Sequence, residues 1–231
     1  MSDDKNRKAL LDYLGEFVTP HKKELFDKIL ASRTRYLTVV LEDIFQTHNA
    51  SAVVRSCDCF GIQDLHVIEN TNKYEVNPDV TLGSSKWVDI HRYQNAEDNT
   101  RDCLTALKEK GYCLVATTPD PSAESVFRYE LKGPVALLFG TELTGLTEQA
   151  FDMADHRVRI PMYGFTESYN ISVSVALCLQ VFRDKMESLG NGTLMNSTEQ
   201  DEIRIGWYRK VIKRVDQYIA DFEKKWDKEN S

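Results

Sequence analysis

LTVVLEDIFQTHNASAVVRSCDCFGIQDLHVI, Leu37 to Ile68, is the stretch on which the fold turns. Leu37 to Leu41 is a short, nearly unbroken apolar run and reads as a buried strand. Asn49 is a plausible N-cap for a helix from Ala50 to Phe60, whose Ala50, Val53, Val54 and Cys57 recur at the spacing of an inward stripe. Gly61 stops that helix, and Leu65 to Ile68 returns to a strand pattern. Strand, helix, strand, with apolar runs instead of strict alternation, is the signature of a parallel sheet covered on both faces.

The pattern continues on either side. Strand patterns recur at Trp87 to Ile90, Tyr112 to Ala116, Val135 to Phe139 and Val158 to Ile160, with a helix at Thr100 to Lys110 and another from about Asn170 to Leu189. The class is therefore α/β. Ahead of the first strand lie a polar N-terminal helix and a second helix over His21 to Ala31, with Leu25, Ile29 and Leu30 at helical spacing. At the other end GNGTLMNS reads as a linker. One amphipathic helix is expected beyond it, marked by Ile203, Trp207, Val211, Val215, Tyr218, Phe222 and Trp226. The expected division is a helical extension over 1–32, a main domain over 33–189, and a linker with a basic helix over 190–231.

The 231 residues, 42% hydrophobic and 28% charged, suffice for a core without staples. Disorder is expected only at the two tips. The start, MSDDKNRKALLDYL, lacks a secretory pattern, and no stretch approaches a membrane span, so a cytoplasmic location is expected. The five cysteines lie within apolar or helical patterns and are expected to be reduced. Cys57 and Cys59 have no second pair at zinc spacing and the five histidines are scattered, so no metal is expected. A net charge of −7 argues against wholesale wrapping of a polyanion, which leaves any contact with a nucleic acid such as RNA to local patches. IRIGWYRKVIKR, Ile203 to Arg214, is such a patch, with Arg204, Arg209, Lys210, Lys213 and Arg214 and no acid. Lys22, Lys23, Lys28, Arg33 and Arg35 form a weaker one.

In an open parallel sheet, chemistry belongs to the loops that leave the carboxyl ends of strands. Three such segments stand out. Asn49 and Arg55 lie six apart on the helix that follows the first strand, although a capped surface helix with a solvated arginine explains them equally well when taken alone. FGTELTG, Phe139 to Gly145, sets glycines on both sides of Glu142, as a loop closely approached by a ligand would. It is not a Walker loop, since Leu146 and Thr147 stand where lysine and serine or threonine belong, and the chain has no G-x-G-x-x-G. IPMYGFTESYN, Ile160 to Asn170, leaves a buried strand through a proline and a glycine and ends on Ser168 and Asn170, either of which would serve as a helix N-cap.

Together, N-x-x-x-x-x-R at Asn49 to Arg55, F-G-x-E-x-x-G at Phe139 to Gly145 and I-P-M-x-G-x-x-x-S-x-N at Ile160 to Asn170 resemble, in order and separation, the three motifs of the SpoU branch of the SPOUT methyltransferases, nearest its TrmH-like members. The likeness runs from about Arg33 to Arg183 and takes in Gly83 to Trp87. It implies a deep C-terminal trefoil knot, a homodimer, and S-adenosylmethionine as cofactor. It also implies 2′-O-methylation of a ribose in RNA, foremost a D-loop guanosine of transfer RNA. Ribosomal RNA or another transfer RNA loop remains an alternative target, and a non-catalytic RNA-binding knot an alternative role.

By the resemblance, the cofactor contacts fall to Thr117, Gly140, Glu142, Ile160, Met162, Ser168, Tyr169 and Asn170. Arg55 is the group implied to act on the hydroxyl, across the dimer, with Asn49, Glu142, Ser168 and Asn170 orienting the reactants. A guanidinium keeps its proton in proteins, so stabilising the developing oxyanion is its natural role. Tyr169 and Glu167 depart from the leucine and glutamine frequent at these positions.

Overall fold

Most apolar runs bounded by turn residues become strands, and their pairing is parallel throughout because each connection, by helix or by longer loop, carries the chain back to the same edge of the sheet. The computed structural model describes residues 2–230; the tips, Met1 and Ser231, lie outside the described residues. The chain runs α1 (Ser2–Gly15), α2 (Pro20–Leu30), β1 (Leu37–Glu42), α3 (Thr47–Cys59), β2 (Asp64–Ile68), α4 (Pro78–Thr81), β3 (Asp89–Tyr93), α5 (Asn99–Glu109) and β4 (Cys113–Thr117). It continues with β5 (Glu124–Ser125), β6 (Val135–Phe139), α6 (Glu148–Met153), β7 (His156–Arg159), α7 (Ile171–Leu189), α8 (Ser197–Val211) and α9 (Val215–Asn230).

The strands form one sheet in the order β3-β2-β1-β6-β4-β7-β5, every neighbouring pair parallel. Every residue of β1, β2 and β6 is buried, as continuous apolar runs require. On one face Val53, Val54 and Cys57 of α3 share a core with Val175, Leu179 and Phe182 of α7. On the other, Cys103, Leu104 and Leu107 of α5 pack with Leu146 and Ala150.

A buried glutamate ties β1 to two of these helices. Glu42 is 1% exposed. Its carboxylate accepts from the Thr100 hydroxyl at 2.7 Å, the Thr147 amide at 2.9 Å and the Thr147 hydroxyl at 2.8 Å. Replacing it leaves buried donors unpaired, which costs about 1–3 kcal/mol per group. Glu42→Ala should therefore destabilise the chain by about 3 kcal/mol, read as a lower urea midpoint at unchanged slope.

Residues 1–33 and 194–231 form one compact unit, and 34–193 another. In the first, Phe26 meets Trp207 edge to face at 5.2 Å and Phe17 lies 4.1 Å from Tyr218. Several expectations are corrected here. Arg33, expected on an RNA face, is 1% exposed with its guanidinium 5.4 Å from the centre of Trp207, so it cannot reach a phosphate. Arg204, also expected on that face, is partly covered and ion-paired to Asp27 at 2.7 Å. Leu25 is exposed and Phe26 buried instead, a shift of the inward stripe by one position.

The single C-terminal helix is two. Ile212 leaves the helical region and Arg214 turns at φ 57°, a break that periodicity does not reveal because apolar spacing continues across it. Arg209, Lys210, Lys213 and Arg214 are exposed at and beside this junction. Arg35 is held by Asp64 at 3.0 Å.

Candidate active site

The carboxyl ends of β4, β6 and β7, three adjacent strands, open onto a cleft of about 400 Å³. Thr117 stands at the end of β4, Gly140 follows β6 and Ile160 follows β7. All three line the cleft, together with Glu142, Met162, Ser168 and Tyr169. Asn170, the eighth residue expected there, is not in the lining; it caps α7 by accepting from the Ser172 amide at 2.9 Å.

The loop after β6 folds back on itself. Thr141 and Gly145 exchange backbone hydrogen bonds of 3.0 and 3.1 Å, and the two threonine hydroxyls at 141 and 144 meet at 2.7 Å. Closure this tight leaves no room on Gly140, whose added Cβ would stand 2.0 Å from the Gly145 carbonyl carbon. Gly145 itself sits at φ 70°, where a side chain is strained. The turn thereby projects Glu142 towards α3.

Three segments far apart in sequence meet through one amide. Asn49 is 3% exposed and lies in the first turn of α3, not at its cap, which is Gln46. Its Nδ2 donates to the Glu142 carboxylate at 2.6 Å and to Gln46 Oε1 at 3.1 Å. Its Oδ1 accepts from Asn170 Nδ2 at 3.0 Å. Asn170 Oδ1 accepts in turn from the Ser172 hydroxyl at 2.6 Å. The amide of Asn49 thus has both protons and its carbonyl engaged, and its orientation is fixed by an acid on one side and an amide donor on the other. Gln46 and Ser172 escaped the sequence reading; an amide three residues before Asn49, one turn back on the same helix, was the available signal for the first.

Arg55 stands apart from this chain. Six residues beyond Asn49, it is about 9 Å further along the α3 axis. It is exposed, lies outside the cleft lining and, among the described residues, has no hydrogen bond or ion pair. Ser168 is exposed at the cleft edge.

The cysteine pair points two ways, Cys57 buried and Cys59 exposed. His66 and His91 stack at 4.6 Å, and burial first, then the neighbouring His91, pushes His66 down to about 3, so that it is neutral at physiological pH. Among the described residues no group of three or more histidine, cysteine or acidic side chains is placed to hold a metal ion.

The SpoU rRNA Methylase family model matches residues 36–180, which hold all three motif segments. A tRNA (guanosine(18)-2′-O)-methyltransferase of Borreliella burgdorferi is 43% identical over 221 residues, 96% of this chain and 98% of its own. Among solved structures, the TrmH/SpoU tRNA modifying enzyme of A. aeolicus superposes with a TM-score of 0.73 at 29% identity, covering 83% of this chain and 98% of that one. The SpoU methyltransferase AviRb of Streptomyces viridochromogenes, solved with the cofactor AdoMet, gives 0.57 at 25% identity over 70% of this chain and 64% of that one. With its sheet, its cleft and its three strand-end segments all inside the matched region, the chain belongs to the SpoU methylase family.

Proposed function

We propose that this chain methylates the ribose 2′-hydroxyl of a transfer RNA D-loop guanosine, nucleotide 18 in the naming of its relatives, using S-adenosylmethionine. The observation that carries the reading is the hydrogen-bonded line from Glu142 through Asn49 to Asn170, which joins the three motif segments beside one cleft.

The cleft's lining suits the cofactor by its chemistry. Leu143, Leu146, Ile160 and Met162 offer apolar walls for a purine, Thr117 and Ser168 offer hydroxyls, and Glu142 and Glu167 offer carboxylates to a positive charge. Bound there, S-adenosylmethionine supplies a methyl group on a positively charged sulfur and departs as a neutral thioether. The remaining chemistry falls to the protein. Arg55 keeps its charge and stabilises the oxyanion that develops as the 2′-hydroxyl releases its proton to water. Asn49, held on both sides, fixes the relation between α3, which carries Arg55, and the loops that form the cleft. Holding the two reactants in line supplies much of the rest of the rate.

An unpaired arginine outside its own cleft suits delivery to a second copy's cleft, and this is the basis for proposing a homodimer. Val173 and Leu177, one turn apart on α7, are 45% and 39% exposed and suit the same interface. The strand order and the likeness to the A. aeolicus enzyme support a C-terminal trefoil knot within a methyltransferase domain of about 33–189, flanked by helical extensions over 1–32 and 190–231. No helix among the described residues is long and apolar enough to cross a membrane, in keeping with a cytoplasmic enzyme.

Transfer of tritiated methyl groups to unmodified transfer RNA, followed by nucleoside mapping, tests the function. Label in 2′-O-methylguanosine at position 18 is the expected result; label elsewhere, or none, overturns it. The exposed cations at the α8–α9 junction are assigned to phosphate contact. Changing Lys210, Lys213 and Arg214 together to alanine should weaken RNA binding and reduce the slope of log affinity against log salt by about 2–3. Filter binding across a salt series gives that slope, and an unchanged value places the RNA surface elsewhere.

A further inference from the structure

Among the residues lining the cleft are two carboxylates, Glu142 and Glu167, and no lysine, arginine or histidine. The two acids differ in their engagement. Glu142 accepts the short bond from Asn49. Glu167, in the exposed loop between β7 and α7, has no hydrogen bond or ion pair among the described residues. An uncompensated negative charge therefore borders a pocket whose other walls are apolar or hydroxyl-bearing.

Resting on the proposed function, the cleft meets both the methyl donor and the thioether that the donor becomes. The methyl donor carries a sulfonium charge in addition to its zwitterionic amino-acid part, whereas the thioether left after transfer carries no net charge. The two molecules share their purine, ribose and amino-acid groups, so contacts to those parts bind both alike and cannot separate them. A free carboxylate at the pocket edge can, because its attraction acts only on the extra charge.

We propose that Glu167 is a specificity-determining residue that makes the cleft favour the sulfonium donor over its neutral thioether product, and so lets the donor outcompete the product for the cleft. Being exposed, the carboxylate is screened by water and salt, which limits the discrimination to about 3- to 10-fold at low ionic strength. Glutamine removes the charge at nearly constant shape and leaves the loop's packing untouched.

The test is calorimetric titration of the full chain and of Glu167→Gln with S-adenosylmethionine and, separately, S-adenosylhomocysteine, each at low and moderate salt. The expected result is that Glu167→Gln weakens binding of the sulfonium compound about 3- to 10-fold, leaves the thioether within about 2-fold, and that the difference shrinks as salt rises. Equal changes for both compounds, or none for either, overturn the assignment while leaving the methyltransferase reading intact. If the unaltered chain binds neither compound, the functional reading fails and this inference falls with it.

Discussion

Arg55→Ala is expected to lower the turnover of methyl transfer by about 100- to 1,000-fold, the loss typical when one donor to a developing oxyanion is removed. Two features of its setting drive the expectation. The side chain is exposed with no counter-charge among the described residues, so nothing in the fold needs it and stability should stay within about 0.5 kcal/mol. It is absent from the cleft lining, so affinity for S-adenosylmethionine should stay within about 2-fold. Single-turnover rates beside calorimetric binding separate these quantities. Arg55→Lys keeps the charge but loses the planar fork and should recover only part of the rate. Mixing Arg55→Ala chains with cleft-disabled chains asks whether the arginine serves a second copy. Restored activity is the result for delivery across a dimer. Normal turnover by the alanine variant would remove Arg55 from the mechanism altogether.

Gly140→Ala carries the second large effect. A methyl group there would stand 2.0 Å from the carbonyl carbon of Gly145 and 2.1 Å from the Leu146 amide nitrogen, and backbone cannot swing aside as a side chain tip does. The turn must open, breaking the paired bonds between Thr141 and Gly145 and moving Glu142 away from Asn49. Overpacking of this kind costs about 3 kcal/mol, or a fall in Tm of about 6–12 °C for a chain this size. Cofactor affinity should drop together with it, by more than about 10-fold, because the displaced loop forms one wall of the cleft. Gly145→Ala is the informative companion. Nothing lies within 4 Å of its added Cβ, and only the φ of +70° resists it, a cost of about 1–2 kcal/mol. Equal behaviour of the two variants would show that conformation, not crowding, governs the loop.

The central strands were legible because they are largely apolar runs, and Val135 to Phe139 matches β6 residue for residue, whereas the polar β3 begins two residues later than expected and the two-residue β5, Glu124–Ser125, left no pattern to read. The loops were legible as strand ends, and seven of the eight cofactor contacts that the resemblance implied line one cleft. Periodicity failed where a pattern is indifferent to the outcome. Leu25 and Phe26 are both apolar, and only packing against Trp207 selects the second. The apolar spacing of the last helices runs straight through the kink at Arg214, because a left-handed residue leaves no mark in hydrophobicity. Arg33 shows the same limit for charge: sequence counts a cation, but burial over an indole withdraws it from solvent. Asn49 was expected at a cap because caps and buried hubs use the same side chain, and sequence alone does not say which partner it finds.

The unit built from residues 1–33 and 194–231 has a consequence for the birth of the protein. During synthesis its opening helices leave the ribosome first, while Trp207 and Phe222, against which they close, emerge last. At roughly 5–20 residues per second, that interval is on the order of ten to forty seconds. For that time Leu14, Phe26 and Leu30, covered in the folded unit, wait with their greasy faces bare.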